Sequence, residues 1–226
     1  MNYYTDTEKL AQLGCMKADA MSGNRLGLWA GGMAAGAYVG LAILLIFTLG
    51  TPLDPSVRPL VMGAGFGLAL VLVVFAGAEL FTGYVMYTFV AVKRGYLAIS
   101  QALTACAFIF VANLAGALLL VALYYVGKGS LTQGETAGFL QQVAAKKMSL
   151  GVEVLIARGI LCNWLVCLAL WMGIRLQSEA AKVLAIAWCL LAFIACGYEH
   201  SVANMTVHLL ALAGPDNPAI SFAGMG

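Results

Sequence analysis

The stretch GYEHSVANM, residues 197–205, decides the fold because it places polar side chains where an apolar helix should continue. It follows the apolar run KVLAIAWCLLAFIAC (182–196) and brings Glu199, His200 and Asn204 close together. Ionisable groups are costly at membrane depth, and those found there generally mark a functional site or a compensated break in a helix. The stretch therefore predicts an interrupted membrane helix with a candidate site at the interruption.

A second stretch, VVFAGAELFTGYVM (73–86), has the same pattern. Its Gly77 and Glu79 match Gly197 and Glu199 at an offset of 120 residues, because 197 − 77 and 199 − 79 give the same difference. Matched helix breaks in two halves of a chain are typical of membrane transport proteins, where unwound backbone is tolerated if it lines a cavity. The pattern predicts an internal repeat with broken second and fifth spans.

The composition assigns the chain to the membrane. Hydrophobic residues make up 62% and charged residues 10%, whereas soluble domains carry about a quarter charged residues. The net charge of +2 gives no indication of a nucleic-acid partner. The six cysteines show no metal-ligand spacing and fall mostly in apolar runs, so we expect no metal or cofactor site. With no paired nucleophile and base either, the sequence does not predict an enzyme.

Five apolar segments are long enough to cross a bilayer, which needs roughly 20 residues. We predict an all-α integral membrane protein with a cytoplasmic N-terminal segment, 1–25, and a single channel domain, 26–226. The predicted spans are 26–49, 60–92, 98–126, 150–174 and 183–213, and a short amphipathic segment covers 136–147.

The Lys and Arg distribution favours a cytoplasmic N-terminus, since cytoplasmic loops are enriched in these residues. With the N-terminus inside, the cytoplasmic segments hold seven such residues: Lys9, Lys17, Arg25, Lys93, Arg94, Arg175 and Lys182. The outside segments hold four: Arg58, Lys128, Lys146 and Lys147. Five spans from such a start place the C-terminus outside, so we expect that a sixth span is missing from this chain.

Small and charged residues within the spans give three further predictions. Gly32, Gly36 and Gly40 form a ladder that predicts tight contact with another helix. Glu79 and Glu199 are expected to brace the helix breaks by accepting hydrogen bonds from freed backbone N–H groups. On the fourth span, Arg158 is expected to pair with Glu153.

Four stretches resemble the formate/nitrite transporter family: DPSVRPLVMGA (54–64), GAELFTG (77–83), CNWLVCLALWM (162–172) and GYEHSVANM (197–205). The resemblance implies an aquaporin-like inverted repeat of six spans and a homopentamer with one pore per protomer. It implies a multi-pass protein of the bacterial inner membrane that passes small monovalent anions, nitrite first and formate second.

The resemblance also implies roles for single residues. Thr82 and Leu80 would lie at the cytoplasmic constriction, with Val166 opposite Leu80. The other implied positions are an apolar periplasmic constriction (Phe66, Leu70, Phe193), the central pore histidine (His200), the lysine of the periplasmic vestibule (Lys147) and two pore-region amides (Asn163, Asn204).

Simpler alternatives stay open for the two ionisable pore residues. His200 could tie the broken helix to a neighbour, and Lys147 could be an ordinary interfacial lysine that extends its ammonium group to water. A proton-coupled secondary transporter of the same anions and an aquaporin-like channel for neutral solutes are the alternative functions.

Overall fold

The computed structural model describes residues 2–215, 217–221 and 224, and the predicted end of the channel domain at residue 226 lies outside them. Within this part the chain is helical, with one short 3-10 turn at Ser130–Thr132. The helices are α1 (Tyr3–Gly23), α2 (Arg25–Gly50), α3 (Arg58–Phe75), α4 (Phe81–Lys93), α5 (Ile99–Val126), α6 (Gly134–Met148), α7 (Val152–Arg175), α8 (Glu179–Ala195) and α9 (Ser201–Ala213).

Four of the described helices, α2, α3, α5 and α7, are each long and apolar enough to cross a membrane. The predicted second span is divided between α3 and α4, and the predicted fifth span between α8 and α9. The remaining predicted spans end within two residues of the observed helices. Their long, strongly apolar runs leave little ambiguity about where each helix lies.

The glycine ladder of α2 packs against α5. A Cβ at Gly36 would lie 1.9 Å from the backbone oxygen of Asn113, and one at Gly32 would lie 2.5 Å from the Cβ of Ala112. Gly116 on α5 approaches the backbone of Met33 equally closely. The predicted tight contact is confirmed, since only glycine lets the two backbones meet at this distance.

The helices α3 and α8 lie antiparallel at the centre of the bundle. Gly63 meets Leu191, while Gly67, one turn later, meets Ala187, one turn earlier. The C-terminal end of α3 therefore lies beside the N-terminal end of α8. Because each interruption follows the C-terminal end of its helix, the two interruptions begin at opposite ends of this pair.

The N-terminal segment is a helix, which the polar sequence of residues 1–25 did not predict. Asn2 caps α1 through its side chain, and α1 packs on α4, where a Cβ at Gly14 would lie 2.1 Å from the Tyr87 oxygen. Asp6 forms an ion pair of 3.2 Å with Arg175 of α7. Tertiary contacts therefore stabilise a helix whose own sequence is only weakly amphipathic.

Candidate functional site

The two interruptions have the same backbone geometry. Gly77 has φ +78° and Gly197 has φ +69°, a conformation that other residues adopt only with strain. In each case the residue after the glycine donates its N–H to the backbone oxygen five residues earlier, from Ala78 to Val73 and from Tyr198 to Phe193. This is the Schellman arrangement that ends helices at a left-handed glycine. Each Gly-x-Glu pattern thus ends one helix, and the next helix begins four residues after the glycine.

Asn113 of α5 holds the first interruption together. Its side-chain nitrogen donates to the backbone oxygens of Gly32 (2.8 Å) and Glu79 (2.9 Å), and its oxygen accepts from Phe81 N–H (2.9 Å). The Glu79 N–H donates to the Gly31 oxygen at 3.0 Å. A fully buried amide thus satisfies backbone groups that the bilayer could not.

Glu79 itself binds a lysine. Its carboxylate forms an ion pair with Lys17 of α1, and both side chains are about one-quarter exposed. The Lys17 ammonium also lies 5.3 Å from the Tyr87 ring centroid. The sequence expectation that Glu79 accepts hydrogen bonds from the freed backbone N–H groups is wrong, because those groups are bonded by Asn113 and Gly31 instead.

Glu199 at the second interruption is bound in the corresponding way. Its carboxylate forms an ion pair with Lys147 of α6 and accepts from the Asn204 amide at 2.9 Å. Arg158 of α7 approaches the other carboxylate oxygen at 3.8 Å. The Glu199 backbone N–H donates to the Arg158 backbone oxygen at 3.4 Å.

Two expectations about this second cluster need correction. The Glu199 side chain braces the break through ammonium and amide groups, not through backbone N–H groups. Arg158 pairs with Glu199 and not with Glu153, because α7 presents its guanidinium towards the interruption. Glu199 is 7% exposed, so three donors around one carboxylate offset the cost of its burial.

His200 lies at the start of α9 and is buried. Its Nδ1 accepts the Ala203 N–H at 3.1 Å, which makes the imidazole the N-terminal cap of α9. Its Nε2 lies 3.2 Å from Thr82 Oγ1, in the first turn of α4. Because Nδ1 is used as an acceptor, we assign the ring proton to Nε2, which donates towards Thr82. The two interruptions therefore meet through these side chains.

Apolar side chains surround the His200–Thr82 contact. The Phe193 ring stacks on the imidazole with centroids 5.8 Å apart, and Phe66 meets Phe193 edge-on at 5.4 Å. Leu80 and Val166 are buried in the same core. Phe193 thus covers one face of the imidazole with a ring that offers an anion no hydrogen bond.

Two cavities approach this region from opposite ends of the α3–α8 pair. One, of about 540 Å³, lies at the C-terminal end of α3, and its lining includes Lys17, Leu70, Glu79, Leu80, Glu179 and Lys182. The other, of about 390 Å³, lies at the N-terminal end of α3, and its lining includes Arg58, Lys147, Phe193, Glu199, His200 and Asn204. Leu70, which the resemblance groups with Phe193, lines the cavity beside Glu79.

Some residues of the site were missed and one predicted residue lies apart. Asn163 lines neither cavity, and its amide nitrogen is directed at the Cys167 sulfur, 3.7 Å away. Asn113 and Lys17 were not predicted. A lone amide in the middle of the third apolar span was a usable signal for Asn113, whereas Lys17 lies in a polar segment where a lysine is unremarkable.

The family model described as formate/nitrite transporter matches residues 6–225 of the chain. The chain is 50% identical over 224 residues to the nitrite transporter NirC of Salmonella typhimurium, covering 99% of this chain and 82% of that protein. It is 33% identical over 177 residues to the formate channel FocA of Escherichia coli, covering 76% of this chain and 62% of that protein.

Two solved structures have a similar fold. One, described as an FNT family ion channel, has a TM-score of 0.95 at 48% identity, over 99% of this chain and 89% of that one. The other, described as a pentameric formate channel with formate bound, has a TM-score of 0.71 at 26% identity, over 82% of this chain and 74% of that one.

Proposed function

Because the chain belongs to the formate/nitrite transporter family, whose members are membrane transporters and channels, we propose that it is a channel for small monovalent anions, with nitrite preferred and formate second. The observation that carries the proposal is the His200–Thr82 contact. It lies in a buried apolar region with a cavity at either end, so a solute moving between the cavities passes the His200 imidazole.

The proposed path begins with charge. Lys147 at one cavity and Lys17 at the other raise the local concentration of anions, although each is partly neutralised by its glutamate. The apolar side chains of Leu80, Phe66 and Phe193 then remove water from the anion, which is costly unless a new partner replaces it. His200 supplies that partner between the two cavities.

The hydrogen bonds of His200 favour donation of a hydrogen bond over transfer of a proton. An imidazolium would carry a second proton on Nδ1, which would then face the Ala203 N–H that it now accepts. Charging the ring therefore breaks the cap of α9. A neutral ring keeps the cap and has an N–H on Nε2. This N–H donates to the Thr82 hydroxyl at rest and to an anion oxygen when an anion passes.

The arrangement of the whole molecule is also a proposal. The matched interruptions, each with a glycine at positive φ and a Lys–Glu pair, support an aquaporin-like inverted repeat. We place residues 1–25 on the cytoplasmic side of a bacterial inner membrane and the channel domain from residue 26 onward within it. The similarity to a pentameric formate channel supports a homopentamer.

The test is the flux of nitrite, formate and water into liposomes, together with membrane current, across pH 5 to 8. Wild type is expected to pass both anions and not water, and His200→Phe to abolish anion flux. His200→Asn keeps an N–H donor and is expected to conduct with weaker dependence on pH.

Three outcomes would contradict the proposal. Water flux that exceeds anion flux would indicate a channel for neutral solutes. Nitrite uptake that saturates and follows the proton gradient would indicate a proton-coupled transporter. Anion flux through His200→Phe equal to that through wild type would leave His200 with a structural role only.

A further inference from the structure

The two cavities differ in charge. In the cavity beside Glu79, both lysines have a carboxylate partner: Lys17 binds Glu79, and Lys182 binds Glu179 at 2.9 Å. In the cavity beside His200, the lining contains Arg58, Lys146, Lys147 and Arg158 against the single carboxylate of Glu199. Four cations and one anion leave an excess of three positive charges at this end, whereas the charges at the other end cancel.

Arg58, at the start of α3, is fixed in position without an acidic partner. One of its terminal nitrogens, Nη2, donates to the backbone oxygens of Leu53 (2.8 Å) and Thr51 (3.4 Å). Its guanidinium carbon lies 4.3 Å from the centre of the Phe139 ring of α6. Among the residues that the structure describes, no carboxylate lies within ion-pair distance of Arg58, and its buried Nε has no acceptor.

The nearest acidic side chain along the chain, Asp54, is turned to another partner. Its carboxylate accepts from the Ser56 hydroxyl at 2.6 Å and from the Ser56 N–H at 2.8 Å. These hydrogen bonds hold the pKa of the Asp54 carboxyl below its usual value, with Arg58 adding a smaller effect in the same direction. The positive charge of Arg58 is therefore not neutralised in the loop between α2 and α3.

We propose that Arg58 forms an outer recruitment site for planar monovalent oxyanions at the mouth of the cavity that leads to His200. A guanidinium that is already held by carbonyls and an aromatic ring loses little conformational freedom when it binds. Among the described residues its other terminal nitrogen, Nη1, makes no hydrogen bond, so its N–H groups are free to donate to an oxygen of a nitrite or carboxylate ion. The site makes the two ends of the pore unequal, so that anion entry from the Arg58 side is half-saturated at a lower anion concentration than entry from the other side. This inference rests on the proposed anion channel.

The first experiment measures nitrite current through a single oriented channel in a planar bilayer at low ionic strength, with nitrite on one side at a time. Arg58→Gln is expected to raise the half-saturating nitrite concentration about two- to fivefold from one side only, as expected for one partly screened charge. The maximal current and the half-saturating concentration from the other side should not change. Arg58→Lys keeps the charge but not the planar guanidinium with its Nη1 donors, so it should restore part of the effect.

The double variant Lys182→Gln/Glu179→Gln is the matched control at the opposite cavity, because it removes an ion pair and leaves the net charge there unchanged. It is expected to leave both half-saturating concentrations within the error of the wild type. Unchanged values for Arg58→Gln, or equal changes from both sides, would overturn the proposal.

A second measurement separates this inference from the proposed function. Sodium nitrite should raise the thermal unfolding midpoint of the detergent-solubilised protein more than sodium chloride of equal ionic strength, because a ligand that binds the folded state stabilises it. Arg58→Gln should reduce this nitrite-specific shift. If wild type shows the shift but carries no nitrite current, the channel proposal fails and the binding site stands. If Arg58→Gln keeps the full shift, the site at Arg58 is refuted.

Discussion

His200 Nε2 lies 3.2 Å from Thr82 Oγ1, and this contact joins the first turns of α4 and α9 across 118 residues of chain. Both side chains are buried, at 5% exposed each, and both follow a glycine in the left-handed conformation. Thr82 and His200, which lie at the start of the helix that follows each interruption, are therefore hydrogen-bond partners.

Thr82→Val removes the acceptor of the His200 N–H while keeping the shape of the side chain. We expect nitrite flux to fall several-fold, because a buried N–H without an acceptor costs about 1–3 kcal/mol and the ring loses its orientation. Thr82→Ser should retain most of the flux. Liposome uptake of nitrite is the measurement.

Thr88→Val is the matched control on the same helix. The Thr88 hydroxyl is also buried, but it donates to the Tyr84 oxygen of its own helix at 2.9 Å. Flux through this variant should stay close to that of the wild type. An equal loss in both variants would mean that any hydroxyl removed from α4 has the same effect.

Asn113→Leu should destabilise the first interruption more than any other amide replacement in the spans. Three backbone groups, the N–H of Phe81 and the oxygens of Gly32 and Glu79, would lose their partner. We expect the free energy of unfolding to fall by about 2–4 kcal/mol, measured by chemical denaturation in detergent. Asn163→Leu is the control, because the Asn163 amide donates only weakly to the Cys167 sulfur. Similar losses for the two variants would contradict the role given to Asn113.

Lys147→Met should be more destabilising than Lys17→Met, although the two lysines occupy equivalent positions. The partner of Lys147, Glu199, has a side chain 7% exposed, whereas Glu79, the partner of Lys17, is 25% exposed. A buried carboxylate left without its lysine costs about 3–5 kcal/mol, and one that is a quarter exposed costs less because water solvates it in part.

A double-mutant cycle checks the Lys147–Glu199 pair. Glu199→Gln in the Lys147→Met background should recover part of the lost free energy of unfolding, with a coupling of roughly 1–3 kcal/mol. Strictly additive effects would show that the ion pair contributes nothing. Nitrite flux of Lys147→Met at low and high salt then tests attraction of anions separately, since screening should shrink the difference from wild type.

Gly36→Ala should separate α2 from α5, because the new Cβ would lie 1.9 Å from the Asn113 backbone oxygen. We expect a loss of at least about 1–3 kcal/mol in the free energy of unfolding, together with reduced flux, since Asn113 also holds the first interruption. Gly138 on α6 has no atom within 4 Å of the position of a Cβ. Gly138→Ala should therefore be neutral or slightly stabilising, given the better helix propensity of alanine.

The sequence by itself determined the helical membrane class, the long spans and the two interruptions. Apolar runs such as 99–126 are too long to be anything but membrane helices, and a Gly-x-Glu pattern inside such a run indicates a helix break. The glycine ladder of α2 likewise predicted a close helix contact without naming the partner. These features depend on residues close in sequence, so local physical chemistry was enough.

The tertiary structure alone decided the partners. Glu79 binds Lys17 and Glu199 binds Lys147, pairs that are 62 and 52 residues apart, and Asn113 reaches the first interruption from 34 residues away. No local sequence pattern distinguishes a lysine that forms an ion pair with a distant buried carboxylate from one that faces water. Because every donor freed at a helix break must find an acceptor inside the protein, the packing of distant helices decides which residues complete the site.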